Sequence, residues 1–202
     1  MFYSIIRMVK YMNYPGGIKK QTKHEVSYGN RGMSLEADIN ETNLYYRKND
    51  IAIIYKKPTP ITVSKVDYHS RIDAVIREAY YKTPSTTDYN GVYKGRYIDF
   101  EAKETRYKTR FPLSNIHVHQ IKHLEDIRRH GGIGFLIVRF STLNLTYLLD
   151  GSKLQAFLTN TNRKSIPVSF FEKEGFLIKE KYTPRLDYLS VLDEIYFKGE
   201  AL

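Results

Sequence analysis

Hydrophobic spacing divides the chain into a succession of helical and extended segments. Leu35, Ile39, Thr42 and Tyr46 fall on one face of a helix and predict one over 31–48, with Glu36 and Asn40 on an adjacent face. The short run 51–55 follows Asn49-Asp50 and reads as a first core strand. Pro58 and Pro60 then stop it, because proline cannot donate to a central ladder, and the chain should leave the core there. Val118, Ile121, Leu124 and Ile127 predict a helix over 115–129, ended by Gly131-Gly132. The continuous apolar run 133–140 has the character of a buried central strand, with 143–149 its neighbour. A short helix at 154–158, a basic loop at 160–165 and a closing helix over 187–197, with Tyr188, Val191, Leu192 and Ile195 inward, complete the pattern.

Pattern turns into chemistry between residues 86 and 103. Asn90-Gly91 tolerates positive φ angles, so Asp88-Tyr89-Asn90-Gly91 predicts a tight hairpin turn followed by an extended segment, 97–103. Period two sets Ile98, Phe100 and Ala102 on one face and Tyr97, Asp99, Glu101 and Lys103 on the other. Glu101 and Lys103 are thereby neighbours, with a second carboxylate, Asp88, one hairpin upstream. Two carboxylates supply hard oxygen ligands for Mg²⁺, which keeps positions open for water and a phosphate oxygen. A lysine beside the attacked phosphorus activates the water or offsets charge in the transition state. An exposed strand also alternates Asp, Glu and Lys to stay solvated, so spacing alone leaves both readings open. His117, His119 and His123 do not suggest zinc, since the i, i+2 pair diverges on a helix and the i, i+4 pair offers only two ligands.

Charge sharpens this picture. In 202 residues, 32 Lys and Arg face 22 Asp and Glu, an excess that calls for a polyanionic partner such as nucleic acid or an anionic membrane. No cysteine is present, which excludes disulfides and thiolate metal sites and suits a reducing cytoplasm. No apolar run reaches the ~20 residues a membrane span needs, and residues 1–11 are too short and interrupted in their apolar core for a secretory signal. Residues 1–30 are expected to form a flexible basic arm, leaving 31–202 as a single domain. Arg31-Gly32, opening the first helix, is a candidate phosphate clamp.

Several strings carry a family resemblance. They are Asn30-Arg31-Gly32-Met33 with Leu35-Glu36, Lys56-Lys57-Pro58-Thr59-Pro60, Ser85-Thr86-Thr87-Asp88-Tyr89-Asn90-Gly91, the run from Tyr93 through Glu101-Ala102-Lys103-Glu104-Thr105, and Phe111-Pro112-Leu113 leading to His119-Gln120. In this order they resemble the PD-(D/E)xK nuclease superfamily and, within it, the RecU family of Holliday junction resolvases. Thr87 stands where the superfamily name has proline, as it does in RecU.

The resemblance implies an α/β, restriction-endonuclease-like core with a mixed central sheet flanked by helices, interrupted by a protruding stalk at about 58–83. It implies a homodimer that makes paired symmetric nicks in four-way junction DNA, uses Mg²⁺ with Mn²⁺ as a substitute, and acts in the cytoplasm beside other recombination proteins. By resemblance, Thr86 and Gln120 join Asp88 and Glu101 at the metal, and Glu36 assists catalysis with Lys103. Lys56, Lys57, Arg71 and Arg77 would contact DNA from the insertion and its base. Two rivals keep the same core: a duplex-cleaving restriction or repair nuclease, and a catalytically inert DNA-architectural protein. The insertion disfavours the first and the intact Asp, Glu, Lys set the second.

Overall fold

The computed structural model describes residues 34–70, 72–82 and 86–198. The expected arm, Arg31 and Arg71 lie outside them. Helix α1 (Leu35–Lys48) begins at Ser34, whose hydroxyl accepts a bond from the Ala37 amide at 3.3 Å; Glu36 and Asp38 in its first turn and Arg47 and Lys48 in its last complement the helix dipole. Leu35, Ile39, Thr42 and Tyr46 are buried, as their spacing predicts.

Strand β1 (Ile53–Lys56) is the first strand of the core sheet, as expected. It is the edge of a six-stranded sheet, paired antiparallel with β4 (Tyr89–Tyr93). Only Ile54 is buried along it; Ile53 and Tyr55 face outward. The prolines do remove the chain from the sheet: β2 (Ile61–Asp67) and β3 (Val75–Tyr81) form a separate two-stranded hairpin whose side chains are almost all exposed.

The hairpin turn lies elsewhere than Asn90-Gly91. That dipeptide sits inside β4, and the turn is Lys94-Gly95, with φ of 45° and 72°, joining β4 to β5 (Arg96–Thr105). Two successive positive φ angles give a turn whose twist matches the flanking strands. Gly91 serves close approach instead, since a Cβ there would lie 2.1 Å from the Ile53 carbonyl oxygen.

Beyond β5 come β6 (Arg110–Pro112), a single 3₁₀ turn at Leu113–Asn115, α2 (Val118–Arg129) and β7 (Ile133–Phe140). β7 runs parallel to β5, a pairing that needs a crossover connection, and α2 supplies it. β8 (Leu145–Asp150) and, at the far edge, β10 (Phe176–Leu177) complete the order β1-β4-β5-β7-β8-β10. Between them lie α3 (Gly151–Asn160), β9 (Ser165–Pro167), which pairs with β6, and α4 (Val168–Glu174); α5 (Tyr188–Tyr196) closes the chain.

Two cores flank this mixed sheet. On one face, α1 and α5 cover Ile98, Phe100, Phe135, Ile137 and Leu148; on the other, α2, α3 and α4 cover Leu136, Val138, Phe140 and Leu149. Every position of β7 is buried, as its unbroken apolar run predicts. Phe100 stacks on Tyr89 at 4.8 Å and on Phe135 at 4.7 Å, joining three adjacent strands. α1 is also tied down by charge. Asp38, buried, meets Arg139 of β7 at 2.6 Å and Arg185 at 3.2 Å.

Gly91→Ala is expected to destabilise the protein by at least about 2 kcal/mol in urea unfolding, because backbone atoms of β1 cannot rotate away from the new methyl group. An unchanged midpoint would mean that β1 does not press on β4 as described.

Candidate active site

The polar face of β5 is not wet. Asp99 and Glu101 are both fully buried, because α2 crosses over this face of the sheet and sets Gln120 and His123 against them. Alternation assigns the residues to faces correctly, yet it cannot say that a helix covers the charged one. On α2 itself the inward residues are Gln120 and Leu124, whereas Val118 is 82 % exposed and Ile121 and Ile127 are half-buried.

Glu101 gathers three groups. Lys103 places its ammonium 2.5 Å from Oε1, the Gln120 amide nitrogen donates to Oε1 at 2.7 Å, and the Asp88 backbone amide donates to Oε2 at 3.1 Å. Asp88 sits at the mouth of β4, where its Oδ2 accepts from the Ala102 amide at 3.3 Å. Asp88, Glu101 and Lys103 therefore converge at one point between β4 and β5. Burial pushes the Glu101 carboxyl up to about 7, Lys103 pulls it down, and the neighbouring Asp88 pushes it up again. A desolvated carboxylate beside a second one is a pair that a divalent cation would relieve.

The other expected residues are distributed unevenly. Thr86 immediately precedes Thr87 and Asp88 and is half-buried. Gln120 is buried at the third position of α2; its Oε1 accepts from the His117 amide at 2.9 Å and its nitrogen holds Glu101. As placed, it orients Glu101 through its nitrogen, and its oxygen is engaged with the helix start. Glu36 lines a cleft with Ser34, Leu35, Asp88, Tyr89, Ala102 and Glu104, and is paired with Lys56 at 2.5 Å with both side chains exposed. Arg77 pairs across the hairpin with Asp67 at 2.5 Å. Lys57 turns inward: its ammonium reaches Asp99 at 2.8 Å and Thr87 Oγ1 at 2.9 Å.

Sequence reasoning missed Glu104, whose carboxylate accepts from the Leu35 amide at 3.2 Å and so caps α1 from the far end of β5. It missed Asp99 as well, although Asp99 shares a face with Glu101. The signal was there in the alternation: a carboxylate two residues from another on one strand face.

Among the described residues, no three His, Asp or Glu side chains come close enough together to cage an ion. Two carboxylates, Asp88 and Glu101, linked through the Asp88 amide, suit a hard, largely hydrated divalent cation, which takes one or two protein carboxylates and keeps its waters.

Comparison with known proteins establishes the family. The family model for Recombination protein U, RecU, matches residues 30–194. The chain belongs to the RecU family. A relative from Geobacillus sp. (strain WCH70), named Holliday junction resolvase RecU, is 54% identical over 195 residues, covering 91% of this chain and 97% of that one. The protein of the same name from Geobacillus kaustophilus is 58% identical over 173 residues, covering 84% of this chain and 86% of its own. Among solved structures, the Holliday junction resolvase Hjc of Archaeoglobus fulgidus aligns over 70% of this chain and 94% of that one, with a TM-score of 0.44 and 10% identity. That likeness is too loose to bear on any residue. In this RecU family member no helix among the described residues is long and apolar enough to cross a membrane.

The raised Glu101 pKa has a sign that can be checked. Without metal, the folded state disfavours the Glu101 anion, so this group costs stability as pH rises from its ordinary range near 4.5 through about 7. Glu101→Gln removes that cost, which is at most about 3 kcal/mol. In metal-free buffer the variant should melt above wild type at pH 8 and close to it at pH 5. A variant melting below wild type at pH 8 would mean that Lys103 and Gln120 fully compensate the buried anion.

Proposed function

We propose that this RecU family member is a Holliday junction resolvase, a divalent-metal-dependent endonuclease that nicks opposed strands of a four-way DNA junction symmetrically. The single observation carrying this reading is the convergence of Asp88, Glu101 and Lys103 at one buried-to-open boundary of the sheet. The names of its relatives give the substrate.

Asp88 and Glu101 would hold Mg²⁺ or Mn²⁺, with Thr86 beside them. When bound, such an ion supplies a water of lowered pKa and a Lewis acid for the phosphate oxygen. The protein's own groups do the rest. Gln120 fixes the rotamer of Glu101, so that its second oxygen, bonded to the Asp88 amide, keeps the two carboxylates in register. Lys103, about a quarter exposed, is the positive charge that can turn from Glu101 toward a phosphate and offset the charge developing there. Glu36, in the same cleft as Asp88, is placed to accept a proton from water once Lys56 is drawn to DNA.

Two nicks in opposed strands need two sites related by the same two-fold axis as the strands, which argues for a homodimer. The outward apolar residues of edge strand β1, Ile53 and Tyr55, with Val92 beside Ile53 in register, offer a surface for it. Junction selectivity is assigned to the β2–β3 hairpin, the stalk of the family, with Lys56 at its base and Arg77 and Arg71 within it. Cytoplasmic action beside the chromosome follows from the substrate.

Asp88→Asn, Glu101→Gln and Lys103→Ala should each slow nicking of a synthetic four-way junction at least about a hundredfold, equivalent to ~3 kcal/mol of barrier. Junction binding in EDTA should persist, because at most one phosphate contact, that of Lys103, is lost. Full activity in any of the three would sink the assignment, and equal cleavage of linear duplex would favour a restriction-type nuclease.

Neutralising Lys56 with Arg71 should lower the ratio of junction to duplex affinity at fixed salt, because shared phosphate contacts elsewhere weaken both substrates alike. An unchanged ratio would move selectivity from the hairpin to the dimer's spacing.

A further inference from the structure

Asp99 is a fully buried carboxylate that the metal-site reading does not use. It lies two residues from Glu101 on the same face of β5, about 7 Å along the strand. Among the described side chains the two share no hydrogen-bond partner. Glu101 meets Lys103, Gln120 and the Asp88 amide. Asp99 meets the Lys57 ammonium at 2.8 Å, the Tyr97 hydroxyl at 2.8 Å, the Thr87 hydroxyl, and His123 Nε2 at 3.3 Å.

Lys57 makes this second cluster more than packing. Its backbone amide donates to the Asp88 carbonyl at 2.7 Å, while its ammonium donates to Thr87 Oγ1 at 2.9 Å as well as to Asp99. The residue before the first proline of the insertion thus grips both Thr87 and Asp88, from its backbone and from its side chain. Asp88 is in turn bonded to Glu101 through its amide and to Ala102 through its carboxylate. Any movement of Thr87 is therefore passed to both carboxylates of the site. α2 reinforces the arrangement by presenting Gln120 to Glu101 and, one turn on, His123 to Asp99.

We propose that Asp99, Lys57 and Thr87 form a buried clamp that sets the position of the Thr86–Asp88 segment over Glu101, so that Lys57 and Asp99 are positioning residues for the metal pair and Lys57 is not a DNA contact. The proposal rests on the nuclease reading of Asp88 and Glu101 and adds residues to it. Chemically, the clamp is an outer ring of hydrogen bonds that holds ligand oxygens where a cation needs them; loss of such partners lowers metal affinity without touching the metal.

The test uses binding of Mn²⁺ alone to the DNA-free full-length protein, read from the loss of the free-ion electron paramagnetic resonance signal. Asp99→Asn, Lys57→Met and Thr87→Val should each weaken Mn²⁺ binding about ten- to a hundredfold, and Thr87→Ser, which keeps the hydroxyl, should restore it. Junction binding in EDTA should stay within about twofold of wild type for Lys57→Met, with an unchanged salt slope, since no phosphate contact is lost. A single variant leaves one buried charge unpaired and can fail to fold. The double variant Lys57→Met with Asp99→Asn removes both charges, and its Mn²⁺ affinity should fall as far as that of the poorer single variant and no further. Unchanged Mn²⁺ affinity in the folded double variant and in Thr87→Val, or no Mn²⁺ binding by wild type, would overturn the clamp. So would a parallel loss of metal-free junction binding in Lys57→Met. If wild type binds Mn²⁺ but leaves the junction uncut, the proposed activity fails while the Mn²⁺ affinities still decide the clamp.

Discussion

Two carboxylates, Asp99 and Glu101, are buried side by side between the sheet and α2, and the rest of the site depends on how that burial is met. A buried carboxylate without partners costs several kcal/mol even after the surroundings relax. The chain meets the two differently. Asp99 receives an ammonium, two hydroxyls and an imidazole nitrogen, whereas Glu101 receives one ammonium, one amide side chain and one backbone amide while facing a second carboxylate. Compensation is generous at the first and short at the second. The short side is where burial holds the carboxyl near 7, and a divalent cation, as the proposed function requires, would relieve that deficit.

Topology follows from the same requirement. β5 and β7 run parallel, so the chain between them must cross a face of the sheet, and α2 crosses the face that carries the two acids. A helix there has to bring polar groups inward. That explains why Gln120 is buried while Val118, at the start of the apolar stripe, is exposed. The opposite face of β5 carries Ile98 and Phe100 into an ordinary aromatic core under α1 and α5. One strand therefore has an apolar half-core on one side and an electrostatic one on the other.

The sequence was most legible where a single physical signal dominated. The periods of α1 and α5 and the unbroken apolar run of β7 could be read directly, and Asp88, Glu101 and Lys103 could be gathered because they lie within one strand and its antecedent. Legibility failed where two signals competed. Asn90-Gly91 and Lys94-Gly95 both permit positive φ, and the choice fell to the second because β1 presses on Gly91, a contact from 38 residues upstream that no local pattern contains. Lys57 read as one more basic residue beside the insertion. Its inward turn is dictated by Asp99, whose burial in turn depends on α2. Asp38 was invisible for the same reason: an acid in a first helical turn is favourable whether or not Arg139 awaits it.

The β2–β3 hairpin inverts the economy of the core. A lone two-stranded hairpin is marginally stable in water, and this one spends its apolar residues outward, with Ile61, Val63, Val66, Val75, Ile76 and Tyr80 all exposed. In the nuclease body the pattern is the reverse, with charge inside and apolar residues covered. Two of these departures sit where the proposed function needs a partner: buried charge at Glu101 beside Asp88, exposed apolar and aromatic surface on the hairpin. Lys56 and Lys57 stand at the boundary between the two, one pointing out toward Glu36 at the cleft and the other in toward Asp99. Adjacent residues on one extended segment must face opposite ways. The chain uses that constraint to hand one lysine to the cleft and the other to the scaffold beneath it, so the root of the hairpin is bonded directly to the segment that carries Asp88 and, through it, to Glu101.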